Sequence, residues 1–99
     1  MKVTFNKMPK ANKDGVIAVT DEVFNLSGVI SSYMSVASID INGDNMYTAS
    51  DIKASSNGKV LTKNFDYNIK LQKGTNIIQL VVKNWAGIEV TKTITVEYK

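Results

Sequence analysis

Cysteine, histidine and arginine are absent from this 99-residue chain, and it has one proline and one tryptophan. His and Cys supply most general bases, thiolate nucleophiles and zinc ligands. Their absence leaves carboxylate pairs as the remaining acid–base option. Glycosidase-type chemistry needs two carboxyls roughly 5–10 Å apart in a cleft. Asp21 and Glu22 are sequence neighbours, and Asp66, Glu89 and Glu97 fall on outward phases of alternating segments. They read as solvated surface charge, and the chain reads as a non-enzyme. Without cysteine, disulfide usage says nothing about redox compartment.

The lack of arginine narrows the partners. All twelve basic residues are lysines, scattered along the chain, and nine carboxylates leave a net charge of +3. Nucleic-acid binders concentrate charge and use the planar arginine fork. Dispersed lysines attract phosphate without recognising it, so nucleic acid is not an expected partner. Long apolar runs are missing as well. The opening MKVTFNKMPKANKDG has lysines at 2, 7, 10 and 13 but no stretch that would form the core of a signal peptide, and no transmembrane run follows. Membrane insertion is not expected.

What is present is period-two alternation rich in β-branched residues, with no sustained helical pattern. The fold class expected is all-β. VTFN (3–6) reads as a short first strand, broken by Pro9, Asn12, Asp14 and Gly15, and VIAVT (16–20) continues along an edge. VFNLSGVIS (23–31) offers Phe24, Leu26 and Val29 as inward residues around Gly28, a glycine that marks a bulge or a close backbone approach. VASIDI (36–41) places Ala37, Ile39 and Ile41 on one face before the turn NGDN (42–45). Met46 and Tyr47 start a short strand, residues 55–58 form a turn, and Val60 and Leu61 resume the chain's alternation. FDYNIKL (65–71), NIIQLVVKN (76–84) and VTKTITVEY (90–98) alternate cleanly. About seven short strands with turns every 8–12 residues describe a Greek-key sandwich. An odd number of passes puts the termini at opposite ends. The core expected is Phe24, Leu26, Ile39, Ile41, Phe65, Ile69, Leu71, Ile78, Leu80, Val82, Ile94 and Val96.

The order INGDN (41–45), F-x-Y-x-I-x-L (65–71), KGTNIIQLVVKNWAG (73–87) and TITVEY (93–98) resembles the immunoglobulin-like and fibronectin-III-like modules of bacterial extracellular proteins. It is especially similar to those of the glucodextranase B-domain type. The resemblance covers residues 16–98, with 1–15 as an N-terminal strand and loop of one domain spanning 1–99. It implies an immunoglobulin-like Greek-key β-sandwich and a non-catalytic accessory or spacer module, cut from a longer secreted or cell-surface chain. The partners it implies are neighbouring domains of the same polypeptide. In such modules the turn before Gly87 is small and polar; here it is Asn84-Trp85-Ala86-Gly87 followed by Ile88.

Two constellations are candidate sites. In DINGDNMYTASD (40–51), Asp40, Asn42 and Asp44, with Thr48 and Asp51 further on, have the spacing of a calcium loop whose alternating oxygens wrap a hard cation. Asn45 stands where such loops have glycine, and no amphipathic helix follows. The competing reading is a strand ending in an Asn-Gly turn, and with it no cofactor is expected. Trp85, Tyr47 and Tyr33 are the candidates for stacking on a sugar ring, which makes carbohydrate binding the alternative function and polysaccharide the alternative partner. The other readings of Trp85 are a cap on the core or a contact with an adjoining domain, and these are preferred.

Overall fold

The computed structural model describes residues 1–49 and 59–99. Eight strands are found there: β1 (Lys2–Phe5), β2 (Val16–Val19), β3 (Val23–Ser32), β4 (Val36–Ile41), β5 (Asp44–Thr48), β6 (Leu61–Lys70), β7 (Gly74–Asn84) and β8 (Glu89–Tyr98). One sheet has the order β1-β3-β6 and the other β2-β8-β7-β4-β5. The turn expected at 55–58 lies outside the described residues. No helix among the described residues is long and apolar enough to cross a membrane.

The inner faces meet in one apolar cluster. Val3, Phe24, Leu26, Ile30 and Phe65 come from the smaller sheet, and Ile17, Ile39, Ile41, Ile78, Leu80, Val82 and Val96 from the larger. The alternation read from the sequence is therefore the alternation between core and solvent.

The first pass of the chain is split between the sheets. β1 pairs antiparallel with β3, whereas β2 pairs parallel with β8, and both run in the same direction. Between them Pro9 removes a ladder donor, and Asn12 folds the chain back. Its side-chain oxygen accepts from the N–H groups of Asp14 and Val16, and its carbonyl from that of Gly15, whose φ is 78°. The eight strands therefore make seven passes. Lys2 lies beside Ser31 at one end of the sandwich, and Tyr98 beside Gly74 at the other. The long axis is 47 Å.

Four inward assignments change. A register shift between Val36 and Ser38 marks a β-bulge in β4, so Val36 is buried and Ala37 is only half-buried. In β3 there is no bulge at Gly28. Pairing with β6 continues in register, the inward phase runs Phe24, Leu26, Gly28, Ile30, and Val29 faces away. Ile69 and Ile94 are partly rather than fully buried. Ile69 lies near the end of an edge strand, and β2 begins opposite Thr95, which leaves β8 uncovered at Ile94. Val3, Ile17, Ile30 and Val36 join the core in addition to the residues expected.

Candidate functional site

The end of the sandwich that carries Met1 gathers the β3–β4 connection (33–35), the β7–β8 turn (85–88) and the start of β6. The β7–β8 turn is organised by a buried side chain, that of Asn84. Its Oδ1 accepts from the N–H groups of Ala86 and Ile88, each at 3.0 Å, and its Nδ2 donates to Ser32 Oγ at 3.0 Å. The Gly87 N–H donates to the Asn84 carbonyl, and Gly87 has a φ of 84°. This is a three-residue hairpin loop closed by a left-handed residue, a conformation that suits glycine. Ser32 Oγ also accepts from the Met34 N–H, and the Trp85 N–H donates to the Ser35 carbonyl at 3.1 Å. Asn84 and Ser32 thus fasten the two connections together.

Trp85 projects from this fastened turn. It is 38% exposed. Tyr33, on the neighbouring connection, is 60% exposed, and Ile88 and Val60 are exposed at the same end.

Tyr47 is placed differently. It is half-buried against the core, and the Lys63 ammonium stands 4.1 Å from its ring centroid. The pair links an edge strand of each sheet, β5 and β6. Tyr47 and Lys63 line a cleft of about 450 Å³ together with Ser32, Val36, Leu61 and Thr62. Trp85 and Tyr33 are not part of that lining. The three aromatics share one end of the molecule but do not form one platform. Nearby, burial first and the neighbouring Tyr47 phenol second push the Tyr67 hydroxyl above the ordinary tyrosine range.

The Asp40–Asp51 segment forms a hairpin over its described part. Asn42 and Gly43 have φ of 52° and 84°, the two-residue turn that matches strand twist. The Asn42 N–H donates to the Gln79 carbonyl, and Asn42 Oδ1 accepts from the Gln79 N–H at 2.8 Å. Asn45 Nδ2 donates to Asp40 Oδ1 at 2.9 Å, and Thr48 Oγ1 donates to Asn45 Oδ1. Asp44 is exposed, and Asp51 lies outside the described residues. Several oxygens in the calcium-like spacing therefore hold the hairpin. Among the described residues no cluster of three or more carboxylates is poised for a metal.

Among the described residues, the cleft lining contains no carboxylate. Glu22 pairs with Lys70, and Glu89 with Lys83, at the surface. Sequence reading did not single out Lys63 or the fastening role of Asn84. Counting back from Phe65 places Lys63 on the inward phase, but its meeting with Tyr47 depends on how the sheets stack.

No family model matches the chain, and no curated protein matches it. Among solved structures it is similar to the fibronectin(III)-like modules of Clostridium thermocellum CbhA. The identity is 14% and the TM-score 0.51, over 99% of this chain and 96% of that one. Two sheets, an interior shared between them and this correspondence over nearly the whole length agree: the chain has a fibronectin(III)-like β-sandwich fold.

Proposed function

We propose that this chain serves as a non-catalytic fibronectin(III)-like module of a larger secreted or cell-surface protein, setting the distance and angle between neighbouring domains. The observation that carries this reading is the rod-like body, 47 Å along its axis, which the chain enters at one end and leaves at the other. The absence of His and Cys, and of any carboxylate among the described residues of the cleft, supports a module without chemistry of its own. The CbhA structures are themselves of modules. Trp85, held by Asn84 at the Met1 end, is the residue assigned to contact an adjoining domain.

Fusing a fluorescent domain to each end tests the spacing role. A flexible linker of equal length has a root-mean-square span of about 55 Å with a broad distribution. The module is expected to give a narrow distance distribution that broadens only when it unfolds. A distribution as broad as the linker's in folded protein would overturn the reading. Because Trp85 is among the exposed large side chains, Trp85→Ala is expected to lower the stability of the isolated module by about 1 kcal/mol or less. A loss comparable to that of a core truncation would make it a cap instead.

No cofactor is part of this proposal. A ligand bound only to the folded state raises its melting temperature. Thermal unfolding with and without millimolar calcium is therefore expected to coincide, and a rise with calcium would restore the Asp40–Asp51 segment as a site.

A further inference from the structure

We propose that the cleft beside Tyr47 binds a carboxylated sugar unit of an acidic polysaccharide, with Lys63 holding the carboxylate. This goes beyond the spacing role and does not depend on it.

The argument starts from where Lys63 sits. On β6 the inward phase runs Leu61, Lys63, Phe65, so a lysine occupies a position that points toward the interior. An unpaired buried charge is costly, and a long side chain escapes the cost by laying its stem on apolar surface and carrying its head to the rim. The edge position of β6 permits this. The ammonium comes to rest 4.1 Å from the Tyr47 ring centroid. The ring face attracts the cation but accepts no ordinary hydrogen bond from it. Among the described residues the ion pairs are Lys70–Glu22 and Lys83–Glu89, and neither involves Lys63. Among the described residues, the cleft therefore presents a positioned cation with no carboxylate partner.

The rest of the lining matches the other parts of such a ligand. Val60 and Leu61 give apolar surface for the C–H face of a pyranose, and Tyr47 brings an aromatic body. The volume of about 450 Å³ lies within the usual range for ligand sites. A neutral sugar would cover the apolar surface but leave the ammonium without a counter-charge. A simple inorganic anion would satisfy the ammonium and leave the apolar walls unused.

Calorimetric titration of the whole chain with trigalacturonic acid, with an uncharged galactose trimer and with inorganic phosphate tests this. Trigalacturonate is expected to bind at least about tenfold more tightly than either of the others. High salt should weaken it, because the contact is ionic and sits at the rim. Lys63→Gln is expected to lose at least about tenfold in affinity, and Lys63→Arg to keep most of it. Melting temperatures of both variants show whether the fold persists. Should Lys63→Gln fail to fold, amide shift mapping on the unaltered chain decides, with changes expected at Tyr47, Thr62 and Lys63. Absence of binding, equal binding of the neutral trimer, equal binding of phosphate, unchanged affinity in Lys63→Gln, or shifts confined elsewhere would each overturn the proposal. The spacing role is read by interdomain distance and fails or stands separately.

Discussion

Leu80→Ala is expected to lower the unfolding free energy by about 2–5 kcal/mol. Leu80 is 0% exposed on β7, a central strand with β4 and β8 on either side. It lies opposite Ile41 and Lys92, and its side chain enters the shared core. Truncation removes the transfer free energy of the lost carbons and leaves a void that strands on both flanks hinder from closing. A domain of this size has a total stability of about 5–15 kcal/mol, so the variant should unfold at a much lower denaturant concentration. The slope of the transition should be unchanged, because the surface exposed on unfolding is nearly the same. A cost below about 1 kcal/mol would contradict the burial that defines the core.

Gly28→Ala is the second large effect expected, about 3 kcal/mol from crowding rather than from a void. Gly28 lies opposite Phe5 on one side and Phe65 on the other. A Cβ built there would collide with the Thr4 carbonyl oxygen and stand 2.8 Å from Phe65 Cζ. The Phe65 ring packs edge-on against Phe5 and stacked beside Tyr67, each at 6.2 Å, so it has little room to swing. The Thr4 oxygen belongs to the main chain of β1, and relieving the clash means lifting that strand from β3. The cost therefore includes burial of Val3 and the packing of Phe5. Faster amide exchange confined to β1, together with the lower stability, is the expected signature. Wild-type stability in the variant would show that β1 yields freely.

These two residues differ in how far the sequence announced them. Leu80 stands in an uninterrupted alternation ending in a turn, and its burial was legible. Gly28 was legible as a glycine inside a strand, but two readings stayed open, and the continued register with β6 selects the close approach. β4 shows the opposite outcome. Its bounds were readable, yet the bulge between Val36 and Ser38 moves the inward phase by one residue, and no local signal marks it. Asn42-Gly43 is a turn by residue type, and the structure uses it as one. The same residues also match a metal loop in spacing, because both motifs favour Asn, Asp and Gly.

At the Met1 end the aromatic candidates were legible as residues and not as a site. Trp85 stood out as a large side chain in a turn, and Asn84 beside it is what holds that turn to Ser32. Tyr47 and Lys63 are sixteen positions apart on strands of different sheets, and their contact exists only once those sheets stack.

By itself the sequence determined the all-β class, the turns at Asn42-Gly43 and Gly87, most of the core and the want of His or Cys chemistry. Those properties are local: period two records which side of a strand is buried, and residue type records where φ turns positive. Only the tertiary structure decided the division of the first strand between two sheets, the bulge in β4, the fastening of the tip by Asn84 and Ser32, and the cleft at Lys63. Each depends on which strands lie side by side, a choice made by contacts between residues far apart in the chain.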